Sequence, residues 1–305
     1  MNPSKPNNNL PTLVGLSAVV MWSATVGLFR SVSEIFGATG GAALIFTVGG
    51  LLACLVLGFP KLKTFPRPYL WIGGALFVAY EVALALSIGF ALNREQAIEL
   101  GMINYLWPSL TILFAVLAGQ QRGSWLLLPA LLSSFCGIVL VVKGDSAWSV
   151  QMLWQNMASN PTGYGLAFFA AGTWAVYSVF TRRFGNGVNG VPLFLVATAI
   201  VLWGKYALGN EPALSLHIGG LLQVAVMGAL MAAAYSCWNH GIQHGNITIL
   251  ATMSCFTPVL SALIANLWLG TTPSTGLVYG VAMVTAGSFL CWVVTRRNAL
   301  DPGKH

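Results

Sequence analysis

Long apolar stretches alternate with short polar or Gly/Pro-rich breaks along the whole chain. Ten apolar runs fall at about 12–30, 40–59, 69–92, 97–118, 125–143, 161–181, 191–208, 218–241, 247–269 and 275–295. A membrane-crossing helix needs about 20 apolar residues, and each run is near that length. The breaks are Pro60 to Pro68, Gly119 to Ser124, Gly144 to Pro161, Phe184 to Val191, Gly209 to Pro212 and Gly270 to Ser274. Only Asn93, Arg94 and Glu95 separate the third run from the fourth, and the seventh carries Lys205. The pattern predicts an all-α polytopic membrane protein of ten transmembrane helices. The opening MNPSKPNNNLPT is polar and shows no cleavage site after the first run, which is expected to be a retained span.

Composition sharpens this picture. Of 305 residues, 14 are Lys or Arg and 7 are Asp or Glu, or 7% charged, against about 25% in a soluble domain. Hydrophobic residues make up 56% and mean hydropathy is +0.76. A soluble fold needs more charge to cover its surface, and ten spans leave no room for a separate soluble domain. The net charge of +7 belongs to the span ends rather than to a nucleic-acid surface. Lys5, Lys61, Lys63, Arg67, Arg122, Arg182, Arg183, Arg296, Arg297 and Lys304 fall on one side; Arg30, Arg94, Lys143 and Lys205 fall on the other. This asymmetry places both termini in the cytoplasm. Trp71, Trp125, Trp268 and Trp292 stand near span ends, as an interfacial belt requires. Cys54, Cys136, Cys237, Cys255 and Cys291 lie singly in apolar runs without metal-ligand spacing, as packing residues do.

The chain also repeats itself. GLSAVVMWSATVGLFR from Gly15 resembles GLAFFAAGTWAVYSVFTRR from Gly165, and NYLWPSLTILFAVLAG from Asn104 resembles SCFTPVLSALIANLWLG from Ser254. Trp22 and Trp174 are 152 residues apart, Pro108 and Pro258 are 150 apart, and Gly119 and Gly270 are 151 apart. A common offset in span order predicts two five-span units, 1–145 and 146–305. Five is odd, so the second copy enters the membrane from the opposite face. Inverted repeats are the architecture of many alternating-access carriers, with substrate bound near the midplane between the copies.

Within this frame a few residues could carry chemistry. Glu81 stands at the centre of the third span, where a charged group costs about 2.5–3.5 kcal/mol and must face protein or a wet cavity. It reads as a proton-coupling group, as a counter-charge for an ammonium, or as a protonated structural carboxyl. In the fourth span Pro108 frees a carbonyl near Asn104, beside Tyr105 and Trp107, and Pro258 repeats the break with Thr257 before it. Tyr235 and Asn239 share one face of the eighth span, with Trp238 alongside; Trp174 and Tyr177 share a face of the sixth. Each of these positions also reads as ordinary helix packing. His240 and His244 are expected to be structural or solvated. No phosphate-binding loop, HExxH or intramembrane aspartate pair occurs, so neither enzyme chemistry nor ATP-driven transport is expected, and no cofactor or metal.

The segments MWSATVGLFRSVSE from Met21, Tyr80–Glu81, ELGMINYLWPSLTILFA from Glu99, WNHGIQHGNITI from Trp238 and FTPVLSALIA from Phe256 resemble the drug/metabolite transporter superfamily, EamA-like branch. The likeness runs over essentially the whole chain. His240 departs from it, where a small apolar residue is expected. The resemblance implies export of aromatic amino acids (Phe, Tyr and Trp), and of related amphiphilic solutes, across a bacterial inner membrane. On it, Tyr80, Trp107, Trp174, Tyr235 and Trp238 offer ring faces, and Glu81, Asn104 and Asn239 meet an amino acid's charged groups, with the proton as candidate coupling ion. A broad exporter of drugs or organic cations and a passive channel or facilitator are the alternatives.

Overall fold

The computed structural model of the chain describes residues 9–119, 124–145, 149–214, 217–244, 250 and 253–300, and among them it is helical with no strand. The first apolar run forms two helices, α1 (Asn9–Ser23) and α2 (Thr25–Phe36), bent by 40°. The bend sits where Ser23 Oγ donates to the Val19 carbonyl and Thr25 Oγ1 to that of Trp22, both 2.7 Å. Such back-bonding by Ser and Thr draws carbonyls off the helix ladder and bends it. The run therefore reaches Phe36 instead of ending near residue 30.

There follow α3 (Ala38–Leu57), a π turn at Tyr69–Gly73 leading into α4 (Gly74–Gly89), α5 (Arg94–Asn104), α6 (Trp107–Leu117) and α7 (Leu127–Lys143). The fourth run is thus two helices joined by 3-10-type turns, Tyr105 N to Met102 O at 3.0 Å and Leu106 N to Ile103 O at 3.1 Å. Pro108 lies in the first turn of α6, where its missing N–H costs nothing. The segment 144–161, expected to be a plain connection, contains α8 (Val150–Ser159); its VQMLWQNMAS sequence is amphipathic rather than apolar, so it carries no span-length run. Asn160 then caps α9 (Pro161–Phe184), accepting from Gly163 N at 2.9 Å.

The chain continues with α10 (Val191–Leu208), α11 (Ile218–His244), α12 (Thr257–Leu269) and α13 (Thr275–Leu300). Pro258 sits in the first turn of α12, as Pro108 does in α6. Among the described residues, seven helices or continuous helix pairs are long and apolar enough to cross a bilayer, eight with the bent α1–α2 pair. The apolar helices α7 and α12 are shorter, at 17 and 13 residues, and the start of the ninth run lies partly outside the described residues.

Packing pairs the elements across the chain: α1 with α11, α4 with α9, α3 with α10 and α7 with α13. The α7–α13 contact is backbone-close, for a Cβ on Gly137 would stand 2.6 Å from the Gly280 carbonyl oxygen. Small residues let apolar helices approach in this way. Cys54, Cys255 and Cys291 are buried and Cys237 is half-buried, but Cys136 is exposed on α7, so it is not a packing residue as expected. Trp71, Trp125 and Trp268 are exposed and Trp292 is half-buried.

The charges gather where helices end. Arg30, Glu34 and Arg94 form one ionic cluster, and Lys205 Nζ donates to Thr39 Oγ1 at 3.3 Å while standing 5.5 Å over the Phe90 ring. Glu211 accepts from the Thr39 and Gly40 amides at 3.1 and 3.2 Å, capping the positive end of α3. Lys5, Arg122 and Lys304, together with the side chains of Arg296, Arg297 and His244, lie outside the described residues.

Candidate functional site

Three helix interruptions, at Ala24, at Tyr105–Leu106 and at Cys255–Phe256, border one central cavity of about 270 Å³. Irregular backbone at membrane depth is tolerated where it lines a cavity. Thr25, Tyr105, Trp107, Ser254 and Thr257 face the cavity from these breaks. The wall also takes in Trp22 of α1, Tyr80 and Glu81 of α4, Asn104 of α5, Trp174 and Ser178 of α9, and Met231, Tyr235 and Trp238 of α11, together with Val26, Phe29, Leu84, Gly101 and Thr111.

Glu81 is 2% exposed and, among the described residues, is the one charged residue in that wall. Its Oε1 accepts a hydrogen bond from the Tyr235 hydroxyl at 2.5 Å. A buried carboxyl requires such a partner. Asn104 is also buried, and its Oδ1 has no hydrogen-bond partner among the described residues. The wall therefore holds the Glu81 carboxyl and, beneath its surface, the unpaired Asn104 amide oxygen, and both are acceptors that suit a donor-rich cationic group.

Around these acceptors the walls are aromatic. Trp174 is the hub, its ring centroid 4.4 Å from Tyr80, 5.0 Å from Tyr177, and 6.4 Å from both Trp107 and Tyr235. Trp22 closes the other side, 5.5 Å from Tyr235 and 5.3 Å from Trp238. Offset and edge-on ring pairs at these spacings each contribute about 0.5–1.5 kcal/mol beyond burial.

Trp22, Trp174, Ser178, Tyr235 and Trp238 also border a second cavity of about 540 Å³, which runs on to the bundle end carrying Tyr69, Arg182, Asn186 and Asn189. The opposite end is closed. Val26 of α2 rests on Gly101 of α5, where a Cβ would stand 2.7 Å from the valine. Beyond them Arg94 grips Glu34 through Nε at 3.1 Å and Nη2 at 2.7 Å, and reaches the Leu269 carbonyl of α12 at 2.9 Å. Arg30 holds Glu34 at 2.9 Å and the Ala91 carbonyl at 2.5 Å. The cavity is thus sealed at the ionic end and open at the other.

An EamA-like transporter family profile matches residues 161–293. The aromatic amino acid exporter YddG of Salmonella typhimurium is 45% identical over 287 residues, covering 94% of this chain and 98% of that one. YddG of Escherichia coli is 44% identical with the same coverage, and YddG of Ancylobacter novellus is 27% identical over 293 residues. The chain belongs to the EamA-like transporter family. It is accordingly a multi-pass membrane transporter and not an enzyme. One crystal structure, 24% identical, matches 95% of this chain and all of its own with a TM-score of 0.66, which speaks for the fold.

In this transporter, eight of the twelve candidate residues named from the sequence meet at the central cavity: Tyr80, Glu81, Asn104, Tyr105, Trp107, Trp174, Tyr235 and Trp238. Tyr177 lies in the wider cavity instead, its hydroxyl 3.3 Å from that of Tyr69. Pro108 and Pro258 do not line the cavity; they start α6 and α12 and so place Trp107 and Thr257 at its wall. Asn239 is in α11, but its side chain lies outside the described residues. Sequence reasoning missed Trp22, Thr25, Ser178 and Met231 as lining residues. For Trp22 the signal was present, since the 152-residue offset makes it the counterpart of Trp174. Among the described residues no group of three or more His, Cys, Asp or Glu could hold a metal ion.

Proposed function

We propose that this transporter exports aromatic amino acids from a bacterial cytoplasm across the inner membrane by alternating access. The observation that carries the reading is one buried acid, Glu81, set in a cavity walled by Trp22, Tyr80, Trp107, Trp174, Tyr235 and Trp238. A substrate ring stacks among the tryptophans while its ammonium meets Glu81 and Asn104 Oδ1. Several contacts near 1 kcal/mol each give binding weak enough to release. The relatives at 44–45% identity, both aromatic amino acid exporters, support the same substrate class.

The ten-span, two-unit arrangement of 1–145 and 146–305 completes this reading, with α7 and α12 as its two short spans. Its support is the packing, which is preserved when the halves are exchanged. The α1–α11 pair corresponds to α9–α4, the α6–α9 contact to α12–α1, and the α3–α10 and α7–α13 pairs map onto themselves. Such a bundle has two states of similar energy, one open to each side. The lysine and arginine asymmetry puts the open end and both termini in the cytoplasm, so the described state is inward-open. Among the described residues Glu81 is the one carboxyl at the cavity, and it is the residue for a proton to use as coupling ion.

The test is transport of labelled tryptophan by reconstituted protein, comparing wild type with Trp107→Ala and Glu81→Gln. Both variants, correctly inserted, lose most transport; wild-type rates in both would sink the assignment. A second reading, export of organic cations, is favoured by Glu81 being the one charge in the central wall. Competition between tryptophan and a dicationic dye separates the two, since only the second reading expects the dye to win.

A further inference from the structure

A zwitterionic amino acid carries a carboxylate as well as an ammonium, and among the described residues the central cavity has no cation to receive it. The wider cavity has one, Arg182 at the C-terminal end of α9. It stands there among rings, with Tyr69, Phe77, Trp174 and Tyr177 in the same wall.

Arginines at a cytoplasmic helix end are first of all topology signals, and the Arg182–Arg183 pair serves that purpose whichever way its side chains point. The structure divides the pair. Arg183 lies over the Phe184 ring, 5.4 Å from its centroid, while Arg182 lines the cavity. The repeat adds a contrast. Arg30, 152 residues earlier, is neutralised by Glu34 four positions on; four positions after Arg182 stands Asn186, which borders the same cavity and carries no charge. The supply of acids points the same way. Glu34, Glu95, Glu99, Asp145 and Glu211 all sit at the opposite, closed end, Glu81 sits at mid-bundle, and Asp301 lies outside the described residues. Among the described residues no acid lines the cavity that Arg182 faces.

We propose that the wider cavity is a loading subsite for the substrate and that Arg182 is its specificity residue. Its guanidinium receives the carboxylate of the incoming aromatic amino acid while the rings of Trp174 and Tyr177 hold the side chain. From there the ammonium is drawn inward to Glu81 through the shared wall of Trp22, Trp174, Tyr235 and Trp238. The inference rests on the export reading and adds the carboxylate as a recognised group. A planar guanidinium matches a carboxylate in bidentate fashion, which a lysine does not reproduce.

The test is concentration-dependent transport of tryptophan and of tryptophanamide, which lacks the carboxylate, by reconstituted wild type, Arg182→Ala, Arg182→Lys and Arg183→Ala. The half-saturating tryptophan concentration rises about tenfold in Arg182→Ala, the loss of one charge-assisted contact. It is partly recovered in Arg182→Lys and is unchanged in Arg183→Ala, and tryptophanamide saturates alike in all four proteins. An equal change for both substrates in Arg182→Ala, or no change for tryptophan, overturns the assignment of Arg182 while leaving export intact. A wild-type protein that carries neither substrate overturns the export reading and this inference with it.

Discussion

Replacing Glu34 with Gln tests whether the ionic cluster is the lock on the closed end. Arg30 and Glu34 are four apart on α2 and stay together in any state, so their pair does not distinguish closed from open. The Arg94–Glu34 fork bridges α5 to α2 and breaks when those helices part. Its side chains are 48% and 28% exposed, so the interaction belongs with solvent-screened pairs of about 0.2–1 kcal/mol. The two-pronged geometry at 2.7 and 3.1 Å puts it at the upper end. A loss near 1 kcal/mol shifts the closed-to-open ratio about fivefold. The assay is labelling, by a membrane-impermeant maleimide, of a single cysteine at Ala91, which is buried at this end, with the five native cysteines replaced. Glu34→Gln speeds labelling about fivefold at low salt, and less at high salt as screening already weakens the wild-type pair. An unchanged rate at low salt would refute the lock.

Three further outcomes follow from the packing and the site. Gly137→Ala forces a methyl against the Gly280 carbonyl and Val284 and costs about 1–3 kcal/mol of stability, read as a lowered unfolding midpoint in detergent. Trp174→Ala removes the ring shared by Tyr80, Trp107, Tyr177 and Tyr235 and raises half-saturation for tryptophan by about tenfold or more. Asp145 accepts from both the Oγ1 and the backbone amide of Thr275 at 2.6 Å, and these bonds hold its carboxyl below the usual aspartate range. A lowered pKa stabilises the fold above the unfolded value of about 3.9 and loses that contribution as pH falls through the folded value. Asp145→Asn therefore lowers the unfolding midpoint at pH 7, and the two proteins converge as pH falls through the folded value.

Much of this was legible because lipid as solvent makes polarity scarce. With 7% charged residues, Glu81 could stand mid-span only for a reason, and the structure puts it at the cavity wall. Pro108 and Pro258 announced breaks because a proline lacks the N–H a helix interior needs. The break at Ala24 was not legible, since hydroxyls also back-bond within the unbroken α3, α9, α10 and α11, and the residue type alone does not say which such bond bends its helix. Helix α8 was hidden because an amphipathic ten-residue segment leaves no long apolar run. Arg182 was hidden for a different reason. Orientation alone explains an arginine at a cytoplasmic helix end, and only the packing separates it from Arg183. The lining role of Trp22 was recoverable from its repeat offset to Trp174.

The central claim, a carrier for aromatic amino acids with its site between Glu81 and the tryptophans, is tested most directly by the initial rate of labelled tryptophan flux into proteoliposomes over a range of concentrations. The account predicts a rate well above protein-free liposomes that saturates with tryptophan and collapses in Glu81→Gln and Trp174→Ala. Flux that rises linearly without saturation, or that both variants leave intact, would contradict it.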